Sequence, residues 1–442
     1  MGSNYTKTFL FSFISSLLIG ICQLSFAQDK AHLRKDSLKS AYQNAAHDTT
    51  KAKLLLALSE HIYLSNPDTV IPLCQKAIEI IDENLPHANH QEKISFLHIK
   101  AGALNNIGFI HQQQGDIEQG LEYYFESLKI NEEFFLPENE KKWSRNLQTK
   151  TFLKFQQLFK KGLANAYNNI GVIYDNQGEI DKGLEYYFLS LKIREAIKDK
   201  KEMADTYNNI GIIYRNQGEI EKTLEYFFLS LKIREEIKYK RGMAQSYNNI
   251  GFIYEDQGEI EKALEYYFLS LKIQEEIEDK IGMAYSYNNI GSTYENQGEI
   301  DKGLKYYFLS LKIREEIKDK NGMAESYHNI GVFLCKQNSL EEGMRYLKLG
   351  LELAMELKDK VEISVAYSSI GKWQLKLGQV EIALESGLEA LAVAKEVGHV
   401  EYTERAAELL GNVYKKQSKF EDALIMYELE IQMRDSFVNE ET

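Results

Sequence analysis

The sequence predicts an all-α protein built as a repeat array, and three observations carry that prediction. The stretch from Ala204 to Met243 recurs, lightly edited, from Ala164, Ala244 and Ala284, and more loosely from Ala324 and Ser364. Gly171, Gly211, Gly251, Gly291, Gly331, Gly371 and Gly411 are spaced by 40 residues, and a strict period of this size marks stacked repeats. Within each copy the apolar residues fall at i, i+3, i+4 and i+7, the spacing of one helix face. Finally, Pro67, Pro72, Pro86 and Pro137 are the only prolines, so the rest of the chain lacks the residue that most disrupts helices.

Each copy reads as two helices. In the first, Tyr207, Ile210, Gly211, Ile213 and Tyr214 form the apolar face. It stops at Asn216-Gln217-Gly218, where glycine can take the left-handed conformation that ends a helix. The second starts near Glu221, whose charge suits the positive end of the helix dipole. Its stripe is Ile220, Leu224, Phe227, Phe228 and Leu231, widened by Ile233 and Ile237. So wide a face must pack both on its own first helix and on the next pair. Tyr214 and Phe227 are expected in the core, and Gly211 and Ser230 where helices approach closely. Lys240-Arg241-Gly242 is expected to close the pair, with basic residues at a negative helix end.

These residues resemble the tetratricopeptide repeat. Tyr207, Ile210, Gly211 and Tyr214 sit where that family has W, L, G and Y, and Thr223, Phe227 and Ser230 where it has A, F and A. Ala263 and Ala383 restore the family alanine, and Gly183 and Gly303 are small substitutes. The proline that closes the shorter form of the repeat is absent. The linkers Asp279-Lys280-Ile281-Gly282 and Asp319-Lys320-Asn321-Gly322, with the 40-residue period, are similar to the longer-helix subclass of kinesin light chain and G-protein-modulator scaffolds. The resemblance spans residues 50 to 436 and implies a superhelical solenoid of about nine helix-turn-helix units.

Taken in order, residues 1–27 read as a signal peptide. Lys7 is the positive n-region, Phe9 to Ile21 the apolar h-region, and Ser25-Phe26-Ala27 a small-x-small cleavage site. Residues 28–92 hold a degenerate repeat, with Leu54 to Ile62 and Val70 to Ile81 as its helices. Residues 93–135 are a good copy containing Asn105-Asn106-Ile107-Gly108. Residues 136–162 are an insertion. Trp143, Leu147, Thr151, Phe155 and Leu158 give it a helical stripe, so it is an extra helix or an N-terminal extension of the next one, and Lys141, Lys142, Arg145, Lys150, Lys154, Lys160 and Lys161 make it basic. It reads as a solvated face or as a docking helix for an acidic partner. Six contiguous copies fill 163–400, and 401–442 form a polar capping repeat with Lys415, Lys416, Lys419, Glu421 and Asp422.

The formal net charge of −13, one more negative without Lys7, argues against nucleic acid or an anionic membrane as partner. No stretch after residue 27 is apolar and long enough to span a bilayer. Beyond the signal the cysteines are Cys74 and Cys335, in different repeats, which supports buried small side chains rather than a disulfide. No phosphate loop, dinucleotide fingerprint, zinc-protease motif or nucleophile elbow is present. His87 and His90 lack a third metal-ligand partner at a useful spacing. The expectation is therefore a protein without enzymatic activity, cofactor or metal.

One constellation remains: Asn105-Asn106, Asn168-Asn169, Asn208-Asn209, Asn248-Asn249, Asn288-Asn289 and His328-Asn329. Asparagine inside a helix costs about half a kcal/mol against alanine, so tertiary contacts should offset it. The resemblance implies that this part of the first helix faces a concave groove, where the second asparagine would hold the backbone of a bound peptide. The alternative is that the amides bond between neighbouring pairs. Flanking residues vary: Asp205, Gln245, Tyr285 and Glu325 on one side, and Asp175, Arg215, Glu255 and Glu295 on the other. Their acidity favours a ligand with basic residues.

The sequence thus points to an exported scaffold, periplasmic or extracellular, that binds a protein or peptide in its groove. The competing reading is an extracytoplasmic sensor or regulatory component of a signal-transduction system. The signal peptide gives the first test. N-terminal sequencing of the native protein should begin at Gln28, and a native chain that retained residues 1–27 would refute export by this route.

Overall fold

The computed structural model describes residues 35–62 and 66–441; the signal peptide expected at 1–27 lies outside them. Among the described residues the secondary structure is helical, with no strand. The chain divides into two compact units, residues 1–199 and 200–442.

The first unit holds α1 (35–44), α2 (Asp48–Ile62), α3 (Val70–Asn84), α4 (His90–Gln113), α5 (Ile117–Glu133), α6 (Pro137–Asn146), α7 (Thr149–Asn176) and α8 (Ile180–Ile197). The degenerate repeat is a true pair, α2 with α3, and Pro72 falls in the first turn of α3, where proline does little harm. Sequence reading missed α1, whose Leu38 and Tyr42 lie on the clusters around Cys74 and Ala77. The insertion is both an extra helix, α6, and an N-terminal extension of the next one, α7. Leu147 turns to φ −122°, ψ 151°, so α6 ends there, and α7 then runs for 28 residues through the next repeat's first helix. The break sends both apolar faces into one place: Trp143, Phe155 and Phe159 pack with Ile94 and Phe134. The basic side chains of Lys141, Lys142, Arg145, Lys150 and Lys154 stay in solvent.

The second unit is six helix pairs: α9 (Lys200–Asn216) with α10 (Ile220–Glu236), α11 (Lys240–Asp256) with α12 (Ile260–Glu276), and α13 (Lys280–Asn296) with α14 (Ile300–Ile317). They continue as α15 (Lys320–Lys336) with α16 (Leu340–Leu357), α17 (Lys360–Lys376) with α18 (Val380–Val397), and α19 (Val400–Lys416) with α20 (Phe420–Glu441). Within a pair the helices meet at the glycine that recurs every 40 residues: a Cβ on Gly211 would stand 2.6 Å from the Phe227 ring. The expected small residue Ser230 donates its hydroxyl to the Ala204 carbonyl at 2.7 Å. Ser270 and Ser310 repeat this with Ala244 and Ala284 at 2.8 Å. In the looser copy the two residues change places. Ser364 stands on the first helix and donates to the carbonyl of Ala390 on the second, at 3.0 Å. The close approach survives because one side stays small and the other still supplies the donor.

Successive pairs are joined by repeated apolar clusters. Phe227 and Leu231 pack on Ile250 and Ile253; Tyr267 and Leu271 pack on Ile290; Tyr307 and Leu311 pack on Ile330 and Phe333. Each cluster contains residues of one second helix and the following first helix, as the width of the apolar stripe requires.

Four expectations are corrected. Lys240, Arg241 and Gly242 do not close a pair; they are the first turn of α11. Lys240 there faces the wrong end of the dipole, and so does Glu276 at the end of α12. The antiparallel pair brings the two ends together, and each charge offsets the other. The same Lys–Glu bond recurs as Lys280–Glu316 at 2.6 Å and Lys360–Glu396 at 2.7 Å. Second, Tyr214 is half-buried rather than core. It stacks on Tyr226 at 5.4 Å, with the Lys222 ammonium 4.8 Å from its ring. Third, Phe228, expected in the apolar stripe, is exposed and edge-on to Tyr266 of the next pair. Fourth, the C-terminal pair is not uniformly polar: Phe420, Leu424, Ile425 and Ile431 are exposed beside Lys419 and Glu421.

Phe227 tests the core. Phe227→Ala should cost on the order of 3 kcal/mol, and the loss should fall on α9 to α12 because each pair touches only its neighbours. Hydrogen exchange should show faster amide exchange there and little change in α17 to α20. A uniform change across residues 200–442 would contradict the repeat picture.

Candidate functional site

The twin asparagines lie on the first helix of each pair, directly before the buried Ile and Gly of the close approach, so backbone geometry carries all of them to equivalent places. All are half-buried except Asn208, which is buried. The structure joins them in pairs. The Nδ2 of Asn169 donates to Asn105 Oδ1 at 3.1 Å, Asn249 to Asn208 at 2.8 Å, and Asn329 to Asn288 at 2.9 Å. In each case the second asparagine of one pair bonds to the first asparagine of the pair before it. Asn106 donates to Ser59 Oγ at 3.1 Å, and Asn248 accepts from Ser286 Oγ at 3.1 Å. The Oδ1 of Asn168 is buried without a partner. Asn209 and Asn289 make no side-chain hydrogen bond with the described residues. An amide offers two donors and two acceptor positions, so the bonded asparagines keep unused capacity and these two keep all of it.

His328 replaces an asparagine in this row. Burial, with a smaller contribution from Arg405, lowers its pKa to about 4, and its Nδ1 is buried without a partner. It is therefore a neutral imidazole at neutral pH.

The flanking residues are less available than the sequence suggests. Asp205 accepts from Arg234 Nη2 at 2.6 Å and Gln245 from the same nitrogen at 3.3 Å. Glu325 pairs with Arg314 at 2.9 Å, and the Arg314 guanidinium lies 5.3 Å from the Tyr285 ring centroid. On the other side Glu255 accepts from Tyr267 at 2.9 Å and from Asn296 at 3.0 Å, and Glu295 accepts from Tyr307 at 2.9 Å and Lys336 at 2.8 Å. Arg215 lies over Phe252. Burial raises the Asp175 carboxyl to about 6. Much of the flanking acidity is thus spent on the protein's own donors.

The residues that sequence reading missed are the buried arginines. Arg234 and Arg314 are each 1% exposed. Their signal was present: Arg234, Gln274 and Arg314 share one place in the period, and Gly242, Gly282 and Gly322 follow each by eight residues.

Two cavities open along the amides of the first unit. One, of about 200 Å³, is lined by Glu60, His98, Asn105, Asn106, Asn131 and Asn165 among others. The other, of about 250 Å³, shares Glu60, Asn105 and Asn106 and adds Val70, Phe109 and Asn169. Burial, and to a smaller degree Lys53, lowers His98 to about 4, and burial raises Glu60 against the opposing pull of Lys161. Among the described residues no group of His, Cys, Asp or Glu is placed to hold a metal, and no helix is long and apolar enough to cross a membrane. Cys74 and Cys335 are free and buried, with burial pushing each thiol up to about 11.

Residues 101–134, 162–236, 202–276 and 242–316 match models described as tetratricopeptide repeat. No curated protein matches the chain in sequence. Among solved structures the chain is similar to a Rap protein complexed with competence and sporulation factor, at 14% identity over 89% of this chain and 99% of that one, with TM-score 0.54. It is similar to aspartyl phosphate phosphatase F from Bacillus subtilis, at 15% identity over 86% and 94%, with TM-score 0.53. It is also similar to the apo form of the quorum sensor NprR from B. thuringiensis, at 14% identity over 96% and 99%, with TM-score 0.51. At such identities the likeness is one of fold.

The row's histidine gives a pH prediction. Its folded pKa lies below the unfolded value near 6.5, so the unfolded chain takes up the proton first. His328 therefore costs nothing above about pH 7 and destabilises progressively as pH falls from 6.5 towards 4, by about 2 kcal/mol at pH 5. His328→Asn, which restores the repeat residue, should flatten the decline in urea midpoint between pH 7 and 5. An unchanged pH profile would show that His328 is not held neutral.

Proposed function

Because this chain is a tetratricopeptide repeat protein, we propose that it is an exported, non-enzymatic scaffold that holds a protein or peptide along the amide row of its first helices. A tetratricopeptide fold supports a protein-binding scaffold or regulator. The observation that carries the finer reading is the state of the amides. Asn209 and Asn289 are half-buried polar groups with no side-chain partner among the described residues, and such groups favour a ligand that supplies one. An extended peptide offers alternating backbone donors and acceptors, which an amide can meet in either sense. The net charge of −13 favours a ligand with basic residues and disfavours nucleic acid. Export rests on Lys7, the apolar run Phe9 to Ile21 and Ser25-Phe26-Ala27, and would place the protein in the periplasm or outside the cell.

A second reading makes the same surface regulatory: a peptide-responsive component that passes its state to a separate output protein. Two of the similar structures favour it, one described as a complex with competence and sporulation factor and the other as a quorum sensor. Recovery of one stoichiometric protein from cell extracts only when peptide is present would favour regulation; recovery without peptide would favour the scaffold.

The amide reading separates from a purely structural role by choice of residue. Peptides are first selected from a library of short synthetic sequences containing Lys or Arg. Replacing Asn209 and Asn289 together by Ala should weaken the selected peptides by roughly thirtyfold, at about 1 kcal/mol per lost hydrogen bond, and leave the melting temperature unchanged or slightly raised. Asn249→Ala should lower the melting temperature as well, because it strips the buried Asn208 carbonyl of its donor. Normal binding by the folded double variant, measured by fluorescence polarisation, would move the ligand elsewhere.

A further inference from the structure

Each junction between helix pairs in the second unit carries a long side chain at one of two facing places, and one junction in the first unit carries a long side chain at neither. Arg234 enters its junction and donates from Nη1 to the Gly242 carbonyl at 3.0 Å and to Ser246 Oγ at 2.8 Å. Its Nη2 reaches Asp205 and Gln245. The facing glycine makes the room: a Cβ on Gly242 would stand 2.9 Å from Arg234 Cδ, and one on Gly322 would stand 2.8 Å from Arg314 Cδ. Gln274 fills the same place opposite Gly282 and accepts from Ser286 at 2.8 Å. Where the second helix instead carries Ala354 or Ala394, the facing residue is Glu362 or Tyr402. A long side chain thus stands on one side or the other of each junction, in keeping with close packing.

The equivalent places between α5 and α7 hold Asn131 and Gly162. Asn131 Oδ1 lies against Gly162, 2.3 Å from where a Cβ would stand, but the side chain ends there, short of the guanidinium that Arg234 carries into its junction, and both residues line the 200 Å³ cavity. Asn131 is fully buried; its Nδ2 donates to the Ser127 carbonyl at 2.7 Å, and its Oδ1 has no partner. His98 Nδ1, also lining the cavity, has none either.

We propose that this cavity is a socket for the guanidinium of an arginine side chain carried by a bound peptide. The chain itself shows the fit. In its own repeats it closes the same space with Arg234 and Arg314, whose guanidinium groups meet the glycine carbonyl and the polar residue three further on. In the junction of Asn131 those positions are Gly162 and Asn165, whose Oδ1 accepts from Arg194 Nη2 at 3.3 Å and keeps a second acceptor position. The unpartnered Asn131 Oδ1 adds an acceptor, and Glu60 supplies a negative charge beside it. A guanidinium brings five donors and no acceptor, which suits such a lining. The volume is below that of a site for a drug-sized molecule and suits one side chain. The neighbouring cavity, along Asn105, Asn106 and Asn169, is where the peptide backbone would run. His98, held neutral by burial, adds no repulsion. Lys161 is half-exposed and paired with Asp199 at 3.4 Å, and Lys53 is exposed. Both can turn to solvent.

The inference rests on the peptide-binding reading only for where the arginine comes from, and its test uses no peptide. N-acetyl-arginine amide is titrated into the full-length chain and followed by saturation-transfer NMR, with N-acetyl-lysine amide and N-acetyl-leucine amide as controls. The arginine derivative should bind saturably and the controls at least about tenfold more weakly. Asn131→Arg rebuilds the repeat residue, so it should abolish that binding and raise the melting temperature. Glu60→Gln, a change at the cavity's exposed rim, should weaken it about tenfold and keeps the test open if Asn131→Arg fails to fold. Absence of saturable binding, equal binding of the lysine derivative, or binding unaltered in folded Asn131→Arg would overturn the socket. A chain that binds basic peptides through Asn209 and Asn289 but ignores the arginine derivative would lose the socket and keep the peptide-binding reading; the reverse would keep the socket alone.

Discussion

The approach of the two helices in a pair is the constraint on which the rest depends. At Gly211 the second helix comes so near that a β-carbon would stand 2.6 Å from the Phe227 ring. A glycine on one helix lets a large aromatic on the other lie flat against the backbone. That contact sets the distance at which Ser230 reaches the Ala204 carbonyl and brings the unfavourably charged helix ends, Lys200 and Glu236, beside each other. Glycine in a helix interior costs about 1 kcal/mol of propensity, and burial of one aromatic side chain returns more than that. The position tolerates change only when the partner changes too. Gly371 faces Ser386 and Leu409 rather than an aromatic ring from its own pair, and that pair is also the one where Ser364 and Ala390 exchange places.

The same volume argument governs the contact between pairs, but here the filler is polar. A buried arginine is costly unless its donors are met. Arg234 meets those of Nη1 and Nη2 with a helix carbonyl, a serine, a carboxylate and an amide, each from a residue fixed on a neighbouring helix, and leaves its Nε without a partner. This explains the glycine that follows Arg234 and Arg314 by eight residues. That glycine is not there to permit a turn, since Gly242 and Gly322 lie inside helices α11 and α15. It is there because a side chain would occupy the arginine's space. The turn itself is made just before, by non-glycine residues in the left-handed region such as Lys238 at φ 54° and Lys318 at φ 59°, at a cost of roughly 1–2 kcal/mol each.

The architecture was legible because its causes are periodic. A 40-residue recurrence, a glycine after most first helices and the absence of proline after residue 137 were enough to place the helix pairs and most of their ends. What escaped depended on partners distant in sequence or on side chains that break the usual hydropathy rule. Arg234 reads as surface until its four acceptors are known. Phe228 reads as core until the stripe proves narrower than its hydrophobicity. The break between α6 and α7 at Leu147 has neither glycine nor proline to announce it; it follows from the way Trp143 and Phe155 reach one cluster. The asparagine row was legible as a row, but its bonds were not, because Asn249 and Asn208 are 41 residues apart and Asn169 and Asn105 are 64 apart.

Structural and binding roles for the row are often posed as alternatives, and the amide chemistry shows why they need not be. A bond from the Nδ2 of Asn249 to Asn208 Oδ1 uses one of two donors on the first residue and one of two acceptor positions on the second. It also fixes both side chains in one rotamer, and rigid groups lose less entropy when a ligand arrives. A bonded pair is therefore a pre-set clamp, whereas Asn209 and Asn289, bonded to nothing among the described residues, remain free to adapt. A row that alternates fixed and adaptable amides can hold a backbone in register and still accommodate different sequences. The cost falls on the protein's tolerance of change. A substitution at a fixed amide disturbs the contact between helix pairs and any ligand together, while one at an adaptable amide disturbs the ligand alone. The two kinds of position should accordingly differ more in their effect on stability than in their effect on binding.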